Sequence, residues 1–189
     1  MKTLIIIMVV VLLFSVSVWA ISPEEIKTLK DYTAVVTQQY QGSGVFISEN
    51  HIITCAHLFT FGIDKVSIKI DGVEIIGNLI KKSIDIDLAL VEISGKHSYV
   101  QLETEWEVGQ EIYIISAPYG IEDTLFYGRI ANFYRNDLLF DAKVMPGTSG
   151  GGIFNLDGKL LGIITAYYGE NGDSLGIAIP ARTILDFLK

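Results

Sequence analysis

Short apolar segments recur along most of this chain, and turn-forming residues separate them. Sequences such as Asp71-Gly72 and Asn171-Gly172-Asp173 tolerate the positive φ angles that tight turns between antiparallel strands need. This succession predicts an all-β fold. The predicted strands cover residues 34–38, 44–48, 51–54, 66–70, 73–79, 88–93, 111–116, 124–133, 138–141, 152–154, 160–166 and 174–179.

The predicted strands fall into two series, and the polar stretch 95–110 divides them. With 189 residues, half of them apolar, the chain is long enough for one ordinary domain or two closely packed halves. A short helix is predicted over residues 23–31. A second helix is predicted over 181–189, because Pro180 suits the first helical position and the apolar residues that follow have helical spacing.

The N-terminus has the pattern of a secretion signal: a basic start at Lys2, an apolar run from Leu4 to Phe14, and small residues near Ala20. This pattern predicts cleavage after Ala20. The competing interpretation is an uncleaved membrane anchor, because roughly 20 residues are enough to span a bilayer. In both cases we expect an exported domain, either secreted or periplasmic, or anchored to the membrane if the leader is retained.

Charge and cysteine content exclude several classes of protein. The net charge of −8 argues against nucleic acid as a partner, because phosphate binding needs clustered Lys and Arg. Cys55 is the single cysteine, so no disulfide can form within the chain. No HExxH, paired CxxC or calcium-loop spacing occurs, and we therefore expect neither a metal nor a cofactor.

A serine lies within the glycine-rich stretch 146–152, which reads PGTSGGG. Glycines let a backbone fold tightly and turn its amide groups outward. The backbone N–H groups of Gly147 and Ser149 could then stabilise a negatively charged oxygen in an acyl transfer reaction. The alternative interpretation is a glycine-rich turn with an incidental serine.

A serine hydroxyl becomes a nucleophile only beside a base, and that base needs a third group to orient it. His57 follows a predicted strand, and Asp87 heads the apolar strand that begins at Leu88. Asp85 is the rival carboxylate. Cys55 could be proposed as a nucleophile paired with His57, but residues two apart on one strand do not converge, and a buried apolar filler is the preferred interpretation.

These segments occur in the order histidine, aspartate, serine, and they resemble the chymotrypsin-like serine proteases, most closely the bacterial HtrA/DegP-type trypsin-like peptidases. The resemblance implies two six-stranded antiparallel β-barrels, a chymotrypsin-like double barrel, with a short C-terminal helix. It implies a protease domain over 21–189, with the first barrel over about 33–95 and the second over about 108–180. The segments that carry the resemblance are 42–48, 53–57, 87–90, 141–152 and 176–180.

The resemblance also implies residue roles. His57 acts as general base and then as general acid, Asp87 orients it, and Ser149 is the nucleophile. Asp87 is favoured over Asp85 because the aspartate of this family immediately precedes a Leu/Ile-Ala-Leu pattern. The expected substrates are proteins or peptides, and the residues implied to bind them are Lys143, Met145, Thr165, Ala166 and Tyr167.

The implied specificity pocket contains no buried acid, which disfavours a basic substrate side chain. A small or medium apolar side chain at P1 is therefore expected, or an acidic one if Lys143 points inward. Thr148 stands where zymogen-type proteases carry an aspartate, so activation by a freed N-terminal ammonium is not expected. HtrA proteases usually continue into PDZ domains, and we expect a catalytic domain without one.

Two other functions compete with an active protease. The first is a catalytically silent or regulated peptide-binding module of the same fold. The second is an esterase that uses the same acylation chemistry. The esterase is disfavoured because α/β-hydrolases order their triad as serine, acid, histidine, and this chain does not.

Overall fold

The computed structural model describes residues 22–169 and 175–189. The predicted leader, the turn at 171–173 and Ser174 lie outside the described residues. Within the described ranges, no helix is both long and apolar enough to cross a membrane.

Six strands form the first barrel, in which the antiparallel strands close in the spatial order β1-β2-β3-β6-β5-β4. Its hairpin turn at Asp71-Gly72 has positive φ at both residues, as predicted from the sequence. The strands are β1 (Thr33–Thr37), β2 (Gln41–Ser48), β3 (His51–Cys55), β4 (Lys65–Ile70), β5 (Val73–Ser83) and β6 (Leu88–Glu92).

Six further strands close the second barrel in the order β10-β11-β12-β9-β8-β7. The prediction of two six-stranded antiparallel barrels is therefore confirmed. The strands are β7 (Glu111–Ser116), β8 (Thr124–Tyr134), β9 (Asp137–Phe140), β10 (Gly152–Phe154), β11 (Leu160–Tyr168) and β12 (Leu175–Pro180).

Two short helices flank the barrels: α1 (Pro23–Lys30) and α2 (Ala181–Leu188). A capping box begins α1, in which Ser22 and Glu25 bond reciprocally. The prediction that Pro180 occupies the first position of α2 is wrong. Pro180 is the last residue of β12 and has ψ of 154°, so its backbone is still extended and it serves as the helix cap.

The hydrophobic core joins the two barrels. One cluster of buried side chains combines Phe46 and Val91 of the first barrel with Phe154 and Ile163 of the second, and with Phe187 of α2. A second cluster lies wholly among the strands of the second barrel. Apolar packing therefore contributes to the union of the barrels, which no disulfide within the chain can supply because Cys55 is the single cysteine.

Strand ends determine where the candidate functional residues lie. A 3₁₀ turn, Ala56–Leu58, follows β3 directly and contains His57. Asp87 immediately precedes β6, and the turn that contains Ser149 leads into β10. The three candidate residues thus lie in connecting segments that rigid strands support.

Candidate active site

Asp87 adopts a left-handed backbone conformation, with φ of 54°. Aspartate tolerates this conformation better than most residues do. The carbonyl oxygen of Asp87 accepts a hydrogen bond of 3.1 Å from the N–H of Ala56. The start of β6 and the end of β3 are thereby linked beside His57.

Both carboxylate oxygens of Asp87 bond to His57. Oδ1 accepts from the backbone N–H of His57 at 2.8 Å, and Oδ2 lies 2.8 Å from Nδ1 of its ring. An ionised carboxylate only accepts hydrogen bonds, so the neutral ring carries its proton on Nδ1. Nε2 is then left as the acceptor, which is the form that a general base requires.

The environment of Asp87 favours its ionised form. Burial by itself raises the pKa of the carboxyl, but the hydrogen bonds from the His57 side chain and from the Thr165 hydroxyl outweigh burial and leave the pKa below its ordinary value. Thr165 Oγ1 donates to Asp87 Oδ2 from the irregular point of β11, between Ile164 and Ala166. The carboxylate is therefore a persistent acceptor for the His57 ring.

Asp85, the rival carboxylate, lies on the surface. It makes no hydrogen bond or ion pair with any residue in the described ranges. The side chain of Asp87, in contrast, is 25% exposed and bonds to His57 and Thr165. The structure thus brings Asp87, and not Asp85, to the histidine.

Cys55 lies beneath this pair and is fully buried. Burial, reinforced by the negative charge of Asp87, raises the pKa of the thiol well above its usual value. Its Sγ donates to the carbonyl of Ile164 at 3.1 Å, which joins β3 to β11 across the barrels. The atoms of Cys55, His57 and Asp87 that could bind a metal ion lie within 4.8 Å of one another, as a metal site would need. The hydrogen bonds between His57 and Asp87 account for the proximity of those two residues, and the Cys55 thiol is held by its hydrogen bond to the carbonyl of Ile164.

The peptide between Pro146 and Gly147 has a defined orientation. The carbonyl of Pro146 accepts a hydrogen bond of 2.8 Å from the N–H of Tyr119. The peptide is trans, so the N–H of Gly147 points away from Tyr119. Within the described ranges, the N–H groups of Gly147 and Ser149 have no acceptor. Both are available to an anionic oxygen.

His57 and Ser149 line the same open cleft, which has a volume of about 510 Å³. The Ser149 hydroxyl makes no hydrogen bond with any residue of the described ranges, so the histidine is bonded to Asp87 but not to the serine. Catalytic hydrogen bonds of this kind often tighten only when substrate is bound. Gly147, predicted from the sequence as an oxyanion donor, also lines the cleft. The lining residues to which the sequence assigned no role are Tyr40, Gln41, Leu58, Tyr119 and Pro146.

The residues predicted to bind substrate occupy two segments. Lys143 is exposed and Met145 is half-buried, in the loop that precedes Ser149. Ala166 and Tyr167 are exposed on the part of β11 that pairs with β12 on one side. Thr165 directly precedes Ala166 in β11, and its hydroxyl donates a hydrogen bond to the carboxylate of Asp87. No sequence spacing indicates that contact, because it depends on the irregular register of β11.

Comparison with known sequences gives a consistent result. The family model described as "Trypsin-like peptidase domain" matches residues 42–163. The chain is 33% identical over 157 residues to a "Probable periplasmic serine endoprotease DegP-like" of Bartonella henselae. That match covers 75% of this chain and 31% of the relative. The chain thus spans about a third of the length of the curated relative.

Solved structures share the same fold. The "HtrA-type protease AlgW with tripeptide" superposes with a TM-score of 0.79 at 28% identity, over 87% of this chain and 61% of that one. The serine endoprotease from Yersinia pestis gives a TM-score of 0.77 at 23% identity, over 87% of this chain and 64% of that one. At that identity, the second likeness supports the fold alone.

Proposed function

Because this chain belongs to the trypsin-like peptidase domain family, we propose that it is a serine endopeptidase with a triad of His57, Asp87 and Ser149. One observation carries the proposal. The ring of His57 bonds to Asp87 at 2.8 Å on the rim of the cleft that Ser149 also lines. A partly buried, ionised carboxylate bonded to a histidine that shares a cleft with a serine is the arrangement that activates a hydroxyl.

The reaction follows from these groups. Nε2 of His57 takes the proton of Ser149 as Oγ attacks the peptide carbonyl, and Asp87 stabilises the imidazolium that forms. The N–H groups of Gly147 and Ser149 bind the oxyanion of the tetrahedral intermediate. His57 then gives its proton to the leaving amine, and water hydrolyses the acyl-enzyme by the same steps.

Labelling with a fluorophosphonate tests the proposal, because this reagent phosphonylates only an activated serine. We expect the wild-type protein to be labelled and Ser149→Ala to remain unlabelled, with a loss of about 10⁶ in kcat on a peptide substrate. Ser98→Ala is the control, because Ser98 is exposed and is not among the residues that line the cleft. It should be labelled like the wild type.

A folded wild-type protein that resists labelling would contradict the proposal. It would favour the second function, a silent or regulated peptide-binding module of the same fold. The missing hydrogen bond between Ser149 and His57 is the observation that keeps this alternative in view. Peptide binding without cleavage would then be the expected activity.

We further propose that substrates are proteins or peptides bound as an added strand. Residues Ala166 to Tyr168 pair with β12 on one side, and within the described ranges their other edge has no partner. An extended peptide can pair with such an edge. A small or medium apolar P1 residue is proposed. A peptide-library profile dominated by basic P1 residues would contradict this preference.

Export of the domain is also proposed, either as a cleaved chain or with residues 1–20 retained as a membrane anchor. The basic start and apolar run of the N-terminus support export, and the curated relative is described as periplasmic. Mass spectrometry of the protein from membrane and soluble extracellular fractions would distinguish a cleaved chain that begins at Ile21 from an anchored one. Full-length protein in the cytoplasm would contradict export.

A further inference from the structure

Ser43 lies in β2 of the first barrel and is completely buried. Its hydroxyl donates a hydrogen bond of 2.8 Å to the carbonyl of Gly147 and accepts one of 2.8 Å from the N–H of Ala117. The backbone N–H of Ser43 donates to the carbonyl of Ser149 at 2.7 Å. One residue of the first barrel thus holds the carbonyls on both sides of Thr148 in the second.

The fit around Ser43 is tight. Its own carbonyl accepts a hydrogen bond of 2.5 Å from the hydroxyl of Thr54. A methyl group added at Gly150 would lie 1.9 Å from that carbonyl oxygen. All the polar groups of Ser43 therefore have hydrogen-bond partners. The turn that contains Ser149 packs against the backbone of Ser43 and leaves no space for a side chain at position 150.

These contacts bear on the direction of the Gly147 N–H. Two peptide planes meet at the α-carbon of Gly147, which has φ of 95°. Tyr119 N–H holds the plane before it, at the carbonyl of Pro146. The Ser43 hydroxyl holds the carbonyl of the plane after it, and the N–H of that plane, from Thr148, donates to the carbonyl of Met145 at 3.0 Å. Glycine resists rotation of its peptide planes less than any other residue does, so external hydrogen bonds must fix both planes.

We infer that Ser43 is a positioning residue for the oxyanion hole, and that its hydroxyl keeps the Gly147–Ser149 segment in the conformation that binds the transition state. The inference rests on the proposed endopeptidase function. It assigns to Ser43 an effect on kcat rather than on substrate binding, because the oxyanion forms only after the substrate is bound.

The test compares Ser43→Ala with the wild type on a peptide substrate. We expect kcat to fall by about tenfold, less than the ~10²–10³ that follows loss of a direct oxyanion donor, and KM to change by less than roughly twofold. A peptide boronate should bind more weakly by the same factor as kcat/KM falls, because its tetrahedral adduct uses the same hole. Active-site titration with a fluorophosphonate measures the fraction of protein molecules with a reactive serine, and each kcat is divided by that fraction.

Ser116→Ala is the matched control. Ser116 is also almost fully buried and precedes Ala117, but its hydroxyl has no hydrogen-bond partner in the described part of the chain. It should keep the wild-type kcat. Ser43→Cys retains a weak donor and acceptor at the same position, and its kcat should lie between those of wild type and Ser43→Ala. This variant also serves if Ser43→Ala does not fold.

Three results would overturn the inference. A wild-type kcat per titrated site in Ser43→Ala would assign Ser43 a purely structural role. An equal loss in Ser116→Ala would show that any buried hydroxyl near this turn matters. A wild-type protein that neither reacts with the fluorophosphonate nor cleaves peptides would remove the proposed function, and this inference with it.

Discussion

At the scale of single residues, Asp87 holds an ionised carboxylate in a partly buried position. Its carboxylate accepts hydrogen bonds from the ring and backbone of His57 and from the hydroxyl of Thr165. Burial raises the pKa of the carboxyl, and these donors lower it further than burial raises it. The stability that the carboxylate contributes is therefore present above its unfolded pKa and lost as the pH falls through the lower folded pKa.

Thr165→Val removes one of these donors at nearly constant volume. We expect the free energy of unfolding at pH 7 to fall by about 1.5–3 kcal/mol, the range for a hydrogen bond to a charged group. The folded pKa of Asp87 rises in the variant, so the difference from wild type should hold above about pH 4, the unfolded value, and shrink at lower pH. Urea unfolding between pH 3 and pH 7 measures it.

Thr124→Val is the control for this prediction. The Thr124 hydroxyl donates to the backbone carbonyl of Ile121, which does not titrate. Any destabilisation there should be independent of pH over the same range. A Thr165→Val difference that stays constant down to pH 3 would contradict the link to Asp87.

Individual residues can be predicted from the sequence where a motif limits the roles that a residue type can have. The order of His57, Asp87 and Ser149 along the chain and the resemblance to the protease family predict these residues, and the resemblance selects Asp87 over Asp85. The structure places His57 and Ser149 on one cleft and bonds Asp87 to His57. The contacts of Thr165 and Ser43 were not predicted. They depend on a strand irregularity and on the approach of two barrels, neither of which any spacing along the chain encodes.

The turn before β10 is the element on which the chemistry depends. Glycine is required at position 147 for two separate reasons. Its φ of 95° is unfavourable for other residues, and an added methyl group would lie 2.5 Å from the carbonyl oxygen of Ala117 and 2.8 Å from the nitrogen of Tyr119. Both obstacles are backbone atoms, which cannot rotate aside. The sequence predicted a glycine-dependent turn but not the neighbours that confine it.

Gly147→Ala should therefore disturb the oxyanion hole. We expect kcat/KM to fall by at least the ~10²–10³ that loss of one oxyanion donor costs, because the peptide must move to relieve the contact. The measurement is peptide hydrolysis at a temperature where circular dichroism shows the variant to be folded.

Gly109→Ala separates backbone strain from the local contact. Gly109 has a similar φ of 88°, but an added methyl group would meet nothing within 4 Å. This variant should lose about 1–2 kcal/mol of stability from the left-handed conformation and keep its activity. Gly147→Ala with more than half of the wild-type activity would contradict the assigned role of the turn.

At the scale of the whole molecule, the catalytic geometry depends on the union of two barrels. His57 and Asp87 come from the first barrel, and Ser149 comes from the second. The hydrogen bonds from Cys55 Sγ to the Ile164 carbonyl and from Ser43 to Ser149 cross between them. The resemblance to the protease family implied two barrels, but no spacing along the chain gives the continuous core that includes side chains from both.

A continuous core predicts that the barrels unfold together. Trp106 packs against Phe133, so its fluorescence reports on the second barrel, whereas fluorophosphonate labelling needs both barrels. In urea, we expect the two signals to be lost at the same midpoint. Trp19→Phe removes the other tryptophan from the signal.

Leu161→Ala tests the same coupling from within the cluster confined to the second barrel. This variant should lower the free energy of unfolding by about 2–5 kcal/mol and should shift the urea midpoints of Trp106 fluorescence and of labelling equally. If Leu161→Ala shifted only the Trp106 curve and left labelling at its wild-type midpoint, the barrels would be independent folding units, and the contacts across their interface would not stabilise the fold.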